Sequence, residues 1–134
     1  MAWLSKYEPY LLSVLRIVAG LLFLEHGMQK LLHIPPMPAS MLAAVPPNFI
    51  PVIMAAGFIE LIGGAFITVG AFTRIAAFIC SGEMAIAYWL VHVARGGLFP
   101  AVNGGDAAIL FCFVFLFIAA AGPGPIALSR SAKF

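Results

Sequence analysis

The chain has 134 residues and a formal net charge of +2, and it is 63% hydrophobic, with 9% charged residues and a mean hydropathy of +1.09. A water-soluble fold of this length cannot bury so much apolar surface, so the composition excludes a soluble globular protein and predicts an integral protein of the lipid bilayer. The small net charge, and the lack of any run of Lys and Arg residues, exclude nucleic acid as a partner.

Four apolar stretches follow one another along the chain, each close to the roughly twenty residues that span hydrocarbon. We predict membrane-spanning helices over residues 10–32, 49–72, 74–94 and 106–121. Six prolines within residues 34–51 prevent the first two helices from joining, whereas the second and third are so closely linked that they must be antiparallel neighbours. The predicted fold is therefore all-α, an integral membrane four-helix bundle with antiparallel up-down neighbours that forms a single domain over residues 1–134.

The distribution of basic residues predicts the orientation, because four spans place both termini on one side. That side collects four basic residues and the opposite side two: Lys6, Arg74, Arg130 and Lys133 against Lys30 and Arg95. By the positive-inside rule we expect the N and C termini both to be cytoplasmic.

Each predicted span carries a carboxylate, although a charged side chain is costly in a bilayer unless it is paired, neutralised or near water. The resulting candidates for ligand binding or proton relay are Glu25, His26, Gln29, Lys30, Glu60, Glu83, Tyr88, His92, Arg95, Asn103 and Asp106. Glu60 shares a helix face with Gly57, Gly63 and Gly64, so we expect its side chain to face the bundle interior.

At about 1.5 Å of rise per residue, the predicted orientation arranges these polar groups as one funnel from the outer face to the middle of the membrane. In this funnel we expect Lys30 or Arg95 to pair with Glu25 or Asp106. The alternative is that the same groups only hold the helices in register, and that Asp106 is a helix N-terminal cap. Small-residue faces such as Gly63-Gly64 are also suited to contacts between protomers of a homo-oligomer.

Three hypotheses for function follow from these residues. The first is a pocket for a quinone or a similar small molecule, in which a carboxylate or His26 exchanges a proton. The second is a metal site, for which the side chains of suitable type are Glu25, His26, Glu60, Glu83 and His92. The absence of a Glu-x-x-His pair argues against a carboxylate-bridged di-metal centre. The third is a non-catalytic anchor or partner subunit of a redox enzyme, because no nucleophile with an adjacent base, phosphate loop or dinucleotide motif supports independent catalysis.

Short motifs run through nearly the whole chain in a fixed order. They are Arg16 with Gly20-Leu-Leu-Phe-Leu-Glu-His-Gly27 and Gln29-Lys30, Gly57-Phe-Ile-Glu60-Leu-Ile-Gly63-Gly64, Gly70 with Thr73-Arg74, Glu83-Met84-Ala85 with Ala87-Tyr88, and Asn103-Gly104-Gly105-Asp106. This series resembles the DoxX family of bacterial membrane proteins, which commonly has Glu where this chain has Asp106. The resemblance implies a multi-pass protein of the bacterial inner membrane. It also implies an association with redox systems, since the family name comes from a subunit of a thiosulfate:quinone oxidoreductase.

Overall fold

The computed structural model describes residues 2–43 and 45–129, and every regular element in these ranges is helical. In chain order the elements are α1 (Ala2–Ser5), α2 (Glu8–Leu32), α3 (Ala39–Ala43), a 3₁₀ turn (Pro47–Phe49), α4 (Ile50–Val69), α5 (Thr73–Ala87), a π-helical turn (Tyr88–Val93), α6 (Ala94–Gly96), α7 (Pro100–Asn103) and α8 (Asp106–Ala121). The prediction of an all-α protein is confirmed.

Three continuous helical segments of the described chain are long and apolar enough to cross a membrane. They are Glu8–Leu32, Pro47–Val69 and Thr73–Gly96. The fourth apolar helix, α8, has 16 residues and is shorter than these three.

The helix ends follow local backbone chemistry and differ in places from the predicted ends. Helix α2 begins at Glu8, with a proline in its first turn where no backbone donor is lost. Helix α4 ends at Val69 instead of residue 72, because Gly70 adopts a left-handed conformation with φ of 77°. The predicted third helix changes from α-helical to π-helical geometry after Ala87 and continues to Gly96.

Helices α2 and α4 pack through glycines that bring their backbones into contact. A Cβ atom added at Gly64 would lie 2.9 Å from the carbonyl oxygen of Gly20, and one added at Gly27 would lie 2.8 Å from that of Gly57. The later residue of α2 therefore meets the earlier residue of α4, so the two helices run in opposite directions. Such close approach is possible only where neither helix carries a side chain.

Helices α5 and α8 form a second antiparallel pair. The Ser81 hydroxyl donates to the Cys112 carbonyl at 2.8 Å, and the Arg74 guanidinium donates to the carbonyl of Ala119 at 2.9 Å. The two pairs meet through contacts of α4 with α5 and through a buried aromatic contact of Phe23 with Phe115, whose ring centroids are 4.8 Å apart. The core thus lies between the two helix pairs.

The segment after α8, residues 122–129, folds back over the ends of α2 and α4. The Leu128 amide donates to the Val69 carbonyl at 3.0 Å. Arg16, only 1% exposed, holds the segment from α2 by donating to the carbonyls of Pro123 and Ile126. Its Nη1 atom also donates to the carbonyls of residues 67 and 68 at 2.5 and 2.7 Å, so one side chain joins three parts of the chain.

The structure tests only part of the basis for the predicted orientation. Arg130 and Lys133, two of the basic residues counted for the cytoplasmic side, lie outside the described residues. Arg74 does not simply face a headgroup layer, because its guanidinium binds the last carbonyls of α8. A cation at a helix C terminus also interacts favourably with the helix dipole.

Candidate functional site

Three ionisable side chains from three helices, one of them buried and two half-buried, form a group that we call the carboxylate cluster: Lys30 on α2, Glu60 on α4 and Glu83 on α5. The Lys30 ammonium donates to Glu60 Oε1 at 2.5 Å, and the Glu60 side chain is 2% exposed. Glu83 is half-buried and interacts electrostatically with both Glu60 and Lys30. The Lys30–Glu60 ion pair therefore joins α2 to α4.

The position of the cluster follows from the small residues around it. Glu60 lies one helical turn from Gly63, and Glu83 lies one helical turn from Cys80. The Cys80 sulfur is so close to Gly63 that a Cβ atom at residue 63 would not fit. The close approach of α4 and α5 at Gly63 and Cys80 brings the carboxylates of the next turn into the same region. The prediction that Glu60 faces the interior is confirmed.

The cluster has more acceptors than donors. Within the described residues, neither Glu60 Oε2 nor Glu83 Oε2 has a hydrogen-bond partner, although both atoms are buried. Buried polar atoms are nearly always hydrogen-bonded in proteins, so these two oxygens distinguish the cluster from a closed structural ion pair.

An apolar groove with a volume of about 420 Å³ runs between α4 and α5. Its walls are aromatic and branched aliphatic side chains, and its floor is Gly63, Ala76 and Cys80; the walls are Phe58, Ile59, Ile62, Phe66, Phe72, Ile75 and Ile79. Gly63 and Cys80 are one helical turn from Glu60 and Glu83. Lys30, Glu60 and Glu83 themselves do not line the groove.

A second group of predicted site residues lies at the far end of α5, around the π-helical turn. The Tyr88 hydroxyl donates to the Leu98 carbonyl at 2.8 Å, and His92 Nδ1 lies 3.2 Å from the Asn103 carbonyl oxygen. The Asn103 side chain donates to the Gly97 carbonyl and accepts from the Gly105 amide, both at 2.7 Å. These bonds order the loop before α8, and π-helical turns often occur at functional sites.

The predicted single funnel is not what the structure contains. Glu25, His26, Arg95 and Asp106 are exposed, and Gln29 is half-buried. His26 packs edge-on against Phe111 with ring centroids 6.0 Å apart. The predicted residues thus separate into the carboxylate cluster, the group of Tyr88, His92 and Asn103 around the loop before α8, and a set of exposed positions.

The predicted ion pairs are also wrong. Lys30 pairs with Glu60, and in the ranges that the structure describes this is the only ion pair, so neither Glu25 nor Asp106 pairs with Lys30 or Arg95. The reason is the rotation of α2, which presents Lys30 to α4 while Glu25 remains exposed. Asp106 is the first residue of α8 and makes no capping hydrogen bond, because Gly105 occupies the N-cap position.

The metal-site residues are likewise dispersed. Among the described residues, no three His, Cys, Asp or Glu side chains lie close enough together to hold one metal ion. Glu25, His26 and His92 in particular do not form a group with the two buried carboxylates, so the structure offers no metal-binding geometry to support that hypothesis.

The groove was not predicted. Its walls are ordinary Ile and Phe residues, which a sequence shows only as part of an apolar helix, and their pattern does not tell where two helices diverge. The one usable signal was the small-residue line of Ala76 and Cys80, which marks the floor.

Comparisons with known proteins agree with the structural observations. The DoxX family model matches residues 11–93, a range that contains the whole carboxylate cluster and every residue that lines the groove. An uncharacterised protein of Haemophilus influenzae is 43% identical over 129 residues, which cover 95% of this chain and 94% of that protein. No solved structure matches the chain. The protein therefore belongs to the DoxX family of membrane proteins.

Proposed function

We propose that this protein is a redox-associated subunit of the bacterial inner membrane that binds a quinone or a similar small molecule beside the carboxylate cluster. In this proposal residues 1–134 form one domain that crosses the bilayer four times as an up-down helix bundle, with both termini in the cytoplasm. In this proposal a partner enzyme oxidises or reduces the bound molecule.

The observation that carries the proposal is a pair of buried, unpaired carboxylate oxygens on residues one helical turn from the floor of an apolar groove. Ligand sites are typically apolar clefts with a few polar groups that fix the orientation of the ligand. The groove suits an alkyl or isoprenoid tail, since every residue that lines it is apolar. Glu60 and Glu83 would then meet the polar ring at the end of that tail.

The remaining predicted site residues enter the proposal in a secondary role. Lys30 holds Glu60 in place through their ion pair, and His26 is exposed one helical turn before Lys30 on α2. His26 is therefore the candidate for proton exchange between the cluster and the outside. Tyr88, His92 and Asn103, which order the loop before α8, would close the α4–α5 pair at the end where the carboxylate cluster lies.

The experiment is a comparison of two tryptophan substitutions on α5, with binding of a decyl-substituted benzoquinone to protein in lipid nanodiscs as the measurement. Ile79 lines the groove and is 52% exposed, whereas Ile86 is 59% exposed on the same helix and lies outside the groove. Ile79→Trp places a larger side chain in the groove, and overpacking of this kind predicts an affinity about tenfold lower. Ile86→Trp, the matched control, leaves the affinity unchanged.

Equal affinities of the two variants would show that the groove does not hold the ligand. Failure of the unaltered protein to bind would favour the anchor hypothesis, which requires no ligand and predicts that a partner enzyme co-purifies whether or not Glu60 and Glu83 are intact.

A further inference from the structure

A second groove lies at the end of the molecule where α2 begins and α8 ends. It is bordered by α1, α2 and α8, has a volume of about 820 Å³, and shares no described lining residue with the groove between α4 and α5. Its lining changes from polar to apolar along its length. Ser5 and Glu8 supply the polar end, and the residues that follow are Leu11, Leu12, Leu15 and Phe117.

Exposed aromatic side chains indicate that the polar end lies at the membrane surface. Trp3, Tyr7 and Tyr10 surround the start of α2 and are 65%, 45% and 55% exposed. Trp and Tyr are enriched at the interfaces between a membrane and water. Leu15 lies about 10 Å beyond Glu8 along α2. The groove therefore passes from the headgroup layer into the hydrocarbon, in the same order as the polar and apolar parts of a phospholipid.

The charge of the polar end distinguishes between phospholipid headgroups. Glu8 brings a carboxylate, and no basic residue is among the described residues that line the groove. Lys6, which lies between Ser5 and Glu8 in the chain, packs over the Tyr7 ring with Nζ 4.9 Å from the ring centroid. The carboxylate therefore repels an anionic headgroup and attracts a cationic group.

A carboxylate also distinguishes two kinds of ammonium. The primary ammonium of phosphatidylethanolamine has three N–H donors, and a hydrogen bond between an ammonium and a carboxylate is about twice as strong as a neutral one. The trimethylammonium of phosphatidylcholine has no N–H, and its methyl groups keep the charge further from the carboxylate. The favourable interaction of Glu8 with the dipole of α2 is the same whichever lipid is bound, so it does not alter this difference.

We infer that the groove between α1, α2 and α8 is a binding site for phosphatidylethanolamine. The ammonium of the headgroup binds Glu8, with the Ser5 hydroxyl as a further acceptor, and one acyl chain lies along Leu11, Leu15 and Phe117. A lipid bound in this way ties the short helix α1 to α2 and α8. The inference is independent of the quinone proposal, since the two grooves have no described lining residue in common.

The test measures which phospholipid binds first to the delipidated protein. The protein in detergent is titrated with an equimolar mixture of phosphatidylethanolamine, phosphatidylcholine and phosphatidylglycerol with identical acyl chains, and native mass spectrometry identifies the bound lipid by its mass. We expect phosphatidylethanolamine to exceed phosphatidylcholine about fivefold, which corresponds to about 1 kcal/mol, the upper range for an exposed ion pair, and to exceed phosphatidylglycerol by more.

Two pairs of variants locate the site. Glu8→Gln keeps the shape of the side chain and removes its charge, so the preference for phosphatidylethanolamine should fall toward one. Glu25→Gln, which changes an exposed carboxylate of the same helix outside the groove, should retain the preference. Leu15→Trp fills the apolar end and should lower the affinity for all three lipids several-fold, whereas Val14→Trp, at an exposed neighbour outside the groove, should leave it unchanged.

The outcomes decide the inference in either direction. Equal occupancy by the three lipids in the unaltered protein would overturn it and leave only the ordinary lipid layer around the helices. A preference for phosphatidylethanolamine that Glu8→Gln leaves intact would place the site elsewhere and equally contradict it. Should Leu15→Trp not fold, the Glu8 and Glu25 variants decide the question, because both residues are exposed and neither supports the core.

Discussion

Replacement of Gly27 by alanine should destabilise the protein although it adds one methyl group to a helix. A Cβ at this position would lie 2.8 Å from the Gly57 carbonyl oxygen and 2.8 Å from the Cα of Leu61, and closer still to the Leu61 amide nitrogen. All of these are backbone atoms of α4, so no side-chain rotation relieves the contact. The backbones of α2 and α4 must separate by roughly half an ångström or more to reach ordinary contact distance.

The magnitude follows from two opposing effects. Overpacking of a close contact costs about 1–3 kcal/mol, because separating α2 from α4 at Gly27 also lengthens the neighbouring glycine contacts between these two helices. Alanine favours the helical state over glycine by about 0.5–1 kcal/mol, which offsets part of that cost. We therefore expect Gly27→Ala to lower the free energy of unfolding by about 1–2 kcal/mol.

Gly82→Ala provides the matched control, because a Cβ at Gly82 meets nothing within 4 Å. Only the propensity effect remains there, and it should stabilise the protein by about 0.5–1 kcal/mol. Reversible unfolding by SDS in mixed micelles, followed by circular dichroism, measures both changes. If Gly27→Ala unfolded at the same SDS fraction as Gly82→Ala, the close approach of α2 and α4 described above would be refuted.

Two further predictions concern buried charge and use the same unfolding measurement. Arg16→Met leaves buried carbonyl oxygens without donors and should cost about 3 kcal/mol, with faster hydrogen exchange in residues 122–129, whereas the exposed Lys6→Met should cost little. Lys30→Met leaves Glu60 charged and unpaired and should cost about 3 kcal/mol, most of which Lys30→Met combined with Glu60→Gln should recover. Strictly additive losses in that double variant would argue against the ion pair.

The sequence was sufficient to predict the helices and the side of α4 that is buried. Apolar length identifies a membrane helix because the hydrocarbon thickness is fixed, and α8 occupies the predicted residues. The glycines around Glu60 placed its carboxylate inside, since small residues on one helix face predict close packing on that face.

The pairing of charges was beyond sequence reasoning, because it depends on the relative rotation of helices that are far apart in the chain. Lys30 and Glu25 are five residues apart and point in different directions on α2, and only the contact of α2 with α4 decides which of them meets Glu60. The depth of the polar residues along their helices suggested a single funnel. The rotation of the helices about their axes separates the carboxylate cluster from the exposed groups.

The hydrogen-bond acceptors of Arg16 could not be predicted from the sequence either, for a different reason. Its acceptors are main-chain carbonyls, and every residue has one, so no side-chain pattern marks them. The π-helical turn also has no compositional signal in the chain.

The hydrogen bonds of Arg16 constrain the order in which the protein can assemble during its synthesis. This arginine leaves the ribosome early, whereas two of its acceptors lie on residues 67 and 68 and two lie beyond residue 122. During synthesis the first helix therefore carries a guanidinium whose full set of acceptors does not yet exist. The helices can enter the bilayer one after another, but their final arrangement closes only when the residues after α8 arrive.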